Sequence, residues 1–290
     1  MRSPSPFLRR CAADFHGDGN ASLALNAMRQ HYTTPCSLRN RVSDLRALYK
    51  QEHPDGRDVT QVCLTEEELK SARRFQKNAR ESKLRAAPRV EAALMLSHAR
   101  ETLARCRSVR NVYELTLALL LVTGRRCAEI LNGRSKFAPN PSPSKHDDAG
   151  LRYNQCIFYG QLKQSNAVPY TIPLLAPLPI VLTALTELRR RQARDVHQLG
   201  NDAVSRRYQS GLRQHLKADG KAYPGIRCPH QLRALYACCA HQYFDVGDAS
   251  LAYFTQRALG HAHIKEADVY NTFQVTLDAR HRGSSGRFVI

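Results

Sequence analysis

Residues Leu259 to Tyr270 read LGHAHIKEADVY. A Gly-His pair sits at a helix boundary, a polar segment follows, and a tyrosine stands nine residues after the first histidine. Taken alone, such a tyrosine is usually a core or interface aromatic. Whether Tyr270 is instead a nucleophile depends on the basic residues that the rest of the chain brings to it.

The chain has 290 residues, enough for two compact units that each bury a core. Its 44 Lys and Arg against 25 Asp and Glu leave a formal charge of +19. Residues 1 to 110 hold 21 basic and 12 acidic side chains and the remainder 23 and 13, so both halves are basic. That balance suits a polyanionic partner, nucleic acid first, with affinity that falls as salt rises. No apolar run reaches the roughly 18 residues of a membrane span, and no membrane partner is expected.

Nine cysteines form no CxxC pair, and several lie in apolar helical runs such as ALYACCAHQYF, which reads as reduced, buried thiols. Cys228, Cys238, Cys239 and His241 fit no standard zinc spacing. Paired carboxylates of the two-metal nuclease kind do not stand out either: TEEELK is a helix start and HDD lies in a loop. We therefore expect no metal and no cofactor.

Residues 1–20 carry Pro, Gly and basic residues without a clear period and read as a disordered basic arm; an organellar presequence has the same composition. Residues 21–88 read as a helical N-terminal DNA-binding domain. Within it, Thr65 followed by Glu68 makes a capping box. The helix it opens lays Lys70, Arg73, Arg74 and Lys77 at i, i+3, i+4, i+7, and from Lys70 to Arg89 there are eight basic residues and one acid. Such a run is often only a solvated face, but its one-sidedness favours a phosphate-facing helix.

A second domain is expected over residues 89–278, with 279–290 as a tail. NVYELTLALLLV has no polar face and reads as a buried helix that breaks at Thr123-Gly124. RSKFAPNPSPSKHDDAG reads as a loop, and NQCIFYGQLKQSNAVPYTIPLL as two short strands around a polar turn. IVLTALTELRRRQARDV and HQLRALYACCAHQYF read as helices. The fold class is thus mainly α with a small β-sheet (α+β).

Four short elements carry candidate chemistry. TGRRCAEIL puts a glycine turn before a helix with two arginines in its first turns. FYGQLKQ places Lys163 in the hairpin, and HQLR sets His230 and Arg233 on one helical face. LGH with Tyr270 is the fourth. Each is weak alone: hairpin lysines and His-x-x-Arg pairs are commonly surface features.

In this order the four elements resemble the tyrosine recombinase superfamily, over roughly residues 111 to 275. The spacing T-G-x-R-x-x-E selects Arg126 rather than Arg125, with Glu129 as interior partner. Lys163 matches the hairpin lysine, His230 and Arg233 the His-x-x-Arg box, and His261 with Tyr270 the closing motif. Within the superfamily, TGRRCAEI, FYGQLK ahead of YTIPLL, LRALYA and the ending YNTF look most like the telomere resolvases (protelomerases). His230 departs from them, standing where they tend not to keep a histidine. With twenty residues after Tyr270, no further C-terminal DNA-binding domain is expected.

The resemblance implies a catalytic domain preceded by a core-binding-like helical domain, closing around duplex DNA as a C-shaped clamp. It implies that Tyr270 attacks a phosphate to form a 3'-phosphotyrosine, that Arg126 and Arg233 clamp the non-bridging oxygens, and that Lys163 acts as general acid. His230 and His261 would donate to phosphate oxygens or assist proton transfer. Telomere resolution to hairpin ends is the function it favours; conventional recombination and a non-catalytic DNA-binding relic are the alternatives. The implied partner is double-stranded DNA at an inverted repeat, bound by a dimer. The expected location is wherever that DNA is, nucleoid, cytoplasm or host nucleus, with organellar targeting left open.

Overall fold

The computed structural model describes residues 5–56, 58–140, 155–162, 168–192, 196, 198–218, 220–244, 249–267, 270 and 272–277. The chain divides into two compact units, Met1–Ala86 and Ala87–Ile290.

The first unit is helical: α1 (Pro6–Asp18), α2 (Ala21–His31), α3 (Pro35–Glu52) and α4 (Glu66–Arg85). The disordered arm expected over residues 1–20 is corrected here. Leu8, Cys11, Ala12 and Phe15 recur at i, i+3, i+4, i+7 and are all buried in the unit's core. The prolines and glycine that looked like breakers are terminal punctuation. Ser5 caps the helix by accepting from the Leu8 N–H at 3.2 Å, Pro6 takes a first-turn position, and Gly19 closes it in a left-handed conformation.

The capping box of α4 forms as its sequence requires. The Thr65 N–H donates to Glu68 Oε2 at 2.8 Å, and the Glu68 N–H donates to Thr65 Oγ1 at 3.2 Å. Ala72 faces the interior, while Lys70, Arg73, Arg74 and Lys77 are exposed.

The second unit packs around α6 (Val112–Thr123), whose residues from Leu115 to Thr123 are all buried. It follows α5 (Ala92–Ala104) and leads through Gly124 into the short α7 (Cys127–Leu131). Helices α8 (Leu178–Arg191), α9 (Asn201–Ala218) and α10 (Pro229–Tyr243) complete the helical shell. The site side is closed by α11 (Leu251–Leu259) and α12 (Ile264–Ala267).

Two small sheets join these helices. Strands β1 (Arg89–Glu91) and β5 (Gln274–Thr276) pair in parallel, Val90 opposite Val275, so the chain just after Tyr270 is fastened to the start of the unit. The other sheet has the antiparallel order β2 (Lys136–Ala138), β3 (Gln155–Tyr159), β4 (Tyr170–Pro173). The strands β3 and β4 are the expected hairpin. Strand β2 corrects the loop expected over residues 134–150: three residues show no readable alternation, yet Phe137 pairs with Phe158 and is buried against it. Residues 141–150 of that stretch, and the tail at 279–290, lie outside the described residues.

All nine cysteines are free. Cys63, however, is exposed, and Cys36, Cys127 and Cys228 are half-buried, so the expectation of buried thiols holds for five of them. No described helix is long and apolar enough to cross a membrane, and no group of three metal-ligating side chains is gathered among the described residues.

Candidate active site

The site forms where α6 ends. Gly124 terminates the helix at φ +64°, its N–H donating to Leu120 O at 3.0 Å, and the next two residues are arginines. Both precede α7 rather than lying in its first turns, because the left-handed glycine turns the chain before the helix restarts. Arg126 becomes the N-cap of α7, and Arg125 turns inward and is 1 % exposed.

Glu129 organises the arginine that remains at the surface. Its Oε2 accepts from the Arg126 N–H at 2.7 Å, and its Oε1 accepts from Arg126 Nη1 at 2.9 Å and from the Leu162 N–H at 3.0 Å. The carboxylate is fully buried; burial pushes its pKa up, but Arg125, Arg233 and Arg126 outweigh burial and hold it below the ordinary range. One acid therefore faces three guanidinium groups. The excess positive charge is what a phosphate would neutralise.

Arg233 enters from the first turns of α10. Its Nε donates to the Tyr270 hydroxyl at 3.3 Å, Nη1 to Gly124 O, and Nη2 to Leu259 O at 3.1 Å. The guanidinium carbon also lies 5.6 Å from the centre of the Tyr270 ring. Burial first, then the nearby Arg125, lowers the Arg233 pKa. Guanidinium nonetheless stays charged. Three of its five N–H groups are used in these bonds, which leaves two to meet an anion.

Two histidine rings flank the tyrosine, with centroids 5.7 Å (His230) and 5.2 Å (His261) from that of Tyr270. His230, at the start of α10, is exposed. His261 is largely shielded and bonds through Nδ1 to Glu266 Oε2 at 3.0 Å. An ionised carboxylate only accepts, so Nδ1 carries the hydrogen and Nε2 keeps its lone pair. That Nε2 is buried with no hydrogen-bond partner among the described residues. Burial, followed by Arg233, brings the His261 pKa down to about 4 against the opposing pull of Glu266, so the ring is neutral near pH 7.

Sequence reasoning passed over three residues at this site. Arg125 donates through Nε to Thr123 O at 3.1 Å, through Nη1 to the Tyr170 hydroxyl, and through Nη2 to Ala258 O. Gln161 Nε2 donates to Leu259 O at 3.3 Å and to Gly260 O. Glu266 orients His261. The doubled arginine was a visible signal for the first; the other two act across long sequence distances or through a polar surface position that no spacing singles out. Gly260 is required where these groups meet: at φ +65°, an added Cβ would lie 2.4 Å from Gln161 Oε1 and 2.5 Å from the Tyr170 hydroxyl.

Of the residues expected from the sequence, Arg126, His230, Arg233, His261 and Tyr270 lie in this one region of the second unit. Lys163 lies outside the described residues; its predecessor Leu162 is held between the Glu129 carboxylate and Arg126 Nη1, which donates to Leu162 O at 3.0 Å. Lys70, Arg73, Arg74 and Lys77 belong to the first unit.

The family model of the telomere resolvase ResT/TelK catalytic domain matches residues 86–273. No curated protein matches the sequence. Among solved structures, selenomethionine protelomerase TelA covalently complexed with substrate DNA aligns at TM-score 0.73 and 18 % identity, over 95 % of this chain and 90 % of that one. A protelomerase TelA mutant complexed with DNA hairpin product aligns at TM-score 0.75 and 18 % identity, with the same coverage. Protelomerase TelK complexed with substrate DNA aligns at TM-score 0.57 and 17 % identity, over 98 % of this chain and 60 % of that one. These likenesses establish the fold; the family match, which spans more than half of the sequence, establishes membership, and the chain belongs to the telomere resolvase family.

Proposed function

We propose that this protein breaks and rejoins duplex DNA through a 3'-phosphotyrosine at Tyr270 and seals the ends as hairpins. The observation that carries the reading is the Arg233 Nε to Tyr270 hydroxyl bond, in a buried setting with one acid and three arginines. The TelA relative is covalently complexed with substrate DNA in one structure, and a TelA mutant is complexed with DNA hairpin product in another, which supports extending that chemistry to this chain.

In the first step the Tyr270 oxygen forms a bond to phosphorus and the bond from phosphorus to O5' breaks. The tyrosine proton passes to the unpartnered lone pair of His261 Nε2, the acceptor that the Glu266 bond creates. Lys163 gives a proton to the departing O5'. Arg126 and Arg233 face the non-bridging oxygens with their planar, bidentate forks, supplying charge stabilisation that a metal gives in other phosphoryl-transfer enzymes. In the second step the 5' hydroxyl of the complementary strand attacks phosphorus and gives its proton to the neutral Lys163 amine, the tyrosine oxygen leaves and regains its proton from His261 Nε2, and the hairpin closes. One phosphodiester is exchanged for another, so neither nucleotide cofactor nor metal is needed.

An inverted-repeat site bound by two copies of the chain is the matching substrate, since both strands must be cut and each 5' end must find its complement. His230 beside the nucleophile favours a second reading, strand exchange between duplexes, because integrases keep a histidine at that place. Incubation with an end-labelled inverted-repeat duplex from the replicon that encodes the chain, in EDTA, separates the two on a denaturing gel. Double-length hairpin strands are expected. Holliday junctions with no hairpins would replace resolution by recombination, and no covalent adduct on a nicked suicide duplex would overturn the strand-transfer chemistry altogether.

A further inference from the structure

We infer that Gln161 and Arg125 are positioning residues that fasten the two ends of the segment carrying Lys163 to the corner at Leu259–His261. On the incoming side, Gln161 Nε2 donates to the carbonyls of Leu259 and Gly260. On the outgoing side, Tyr170 begins β4 and its hydroxyl accepts from Arg125, which also donates to Ala258 O. Both anchors are buried, Gln161 at 7 % and Arg125 at 1 % exposure.

The three carbonyls taken, those of Ala258, Leu259 and Gly260, close α11, where a helix leaves such groups without internal partners. They are also the residues that lead directly into His261. The Arg125 guanidinium further lies 4.9 Å from the ring centre of Phe158 on β3, so it holds both strands of the hairpin. A general acid has to reach one oxygen atom, and an anchor misplaced by about 1 Å costs on the order of 100-fold in rate. Fastening the segment to the corner that presents His261 sets the proton donor and the tyrosine's proton acceptor in one frame.

The inference rests on the reading of Lys163 as the general acid, and the test separates the two. Gln161→Met and Tyr170→Phe each remove one anchor while keeping the volume of the side chain. Both are compared with Lys163→Ala on two inverted-repeat duplexes, one ordinary and one with sulfur replacing the scissile O5'. A thiolate leaves without a proton from the enzyme, since a thiol is far more acidic than an alcohol.

We expect each anchor variant to bind DNA within about twofold of the parent and to cleave the ordinary duplex at least about tenfold more slowly. On the sulfur duplex both should return to within about twofold of the parent, as Lys163→Ala should. Should Gln161→Met and Tyr170→Phe cleave normally, or lose equally on both duplexes while Lys163→Ala is restored, the anchoring role is wrong. Should Lys163→Ala itself lose equally on both, the general-acid reading falls and the inference falls with it. Thermal melts identify a variant that fails to fold, and the other anchor then decides.

Discussion

Arg233 Nε donates to the Tyr270 hydroxyl at 3.3 Å, with the two side chains only 1 % and 5 % exposed. The bond joins the start of α10 to the segment between α12 and β5, and β5 is itself paired to β1 at the start of the unit. Tyr270 is thus held by its own chain, under cover, with its hydroxyl on a guanidinium N–H.

Tyr270→Phe is expected to abolish the covalent adduct on a nicked duplex while leaving DNA affinity within about twofold, because only the reacting oxygen is removed. Arg233→Lys keeps a charge but loses the fork that reaches Tyr270, Gly124 and Leu259 together. Its cleavage rate should fall about 100-fold or more, the usual loss when one stabilising donor of a transition state is removed. Rapid-quench cleavage assays beside a filter-binding titration check both. An Arg233→Lys protein that cleaves normally would remove Arg233 from the chemistry.

Gly124→Ala tests the turn that places the arginines. At φ +64° an added Cβ would meet the Tyr236 ring at 2.1 Å, and Tyr236 is fully buried with its hydroxyl donating to Pro173 O at 2.6 Å. Left-handed backbone and overpacking together should cost about 3 kcal/mol or more. Gly200→Ala, with no atom within 4 Å of its Cβ, should shift stability by less than about 0.5 kcal/mol. Denaturant melts of the two variants give the comparison, and equal midpoints would show that the turn tolerates a side chain.

Much of this arrangement is legible in the residues because it is local. An apolar run with no polar face that ends in Thr-Gly declares a buried helix and its stop, and Thr65 with Glu68 declares the start of α4. The arginine beside Glu129 is legible because three-residue spacing across a helix start brings them together. Arg125 is not: which of two adjacent arginines turns inward is decided by Tyr170, Thr123 and Ala258, which only the tertiary fold assembles. Gln161 and Glu266 escape for the same reason. Helix α1 was hidden by its own caps, since proline and glycine at helix ends have the same composition as a disordered arm.

His261 predicts a pH dependence of stability with a definite sign. An unfolded imidazole titrates near 6.5, whereas the folded one is brought down to about 4. Between these values the unfolded chain binds more protons, so the contribution is intact above pH 6.5 and is lost as pH falls toward 4. His261→Gln should flatten that part of the profile. Thermal melts at half-unit steps from pH 7.5 to 4, in about 0.15 M salt, measure it. Parent and variant curves that run parallel would show that His261 does not titrate in the folded protein as its setting requires.

Salt dependence distinguishes the members of the α4 stripe. Lys70 lies 3.2 Å from Glu66 and Lys77 lies 3.9 Å from Glu81, each an i,i+4 pair on the same helix. Among the described residues Arg73 and Arg74 have no acidic partner within ion-pair distance, and both are exposed. If α4 faces phosphates, the arginines act at full charge, while each lysine brings a neighbouring acid that partly cancels it. Arg73→Gln with Arg74→Gln should therefore reduce the slope of log affinity against log salt by about 2, close to one released counterion per phosphate contact. Lys70→Gln with Lys77→Gln should reduce it by less, because Glu66 and Glu81 are left behind as unpaired repulsive charges whose own effect does not scale with counterion release from DNA. Filter binding of Tyr270→Phe protein at a series of salt concentrations gives both slopes without turnover. Slopes unchanged in the arginine pair would mean that α4 is a solvated face and that the phosphate contacts of the chain lie elsewhere.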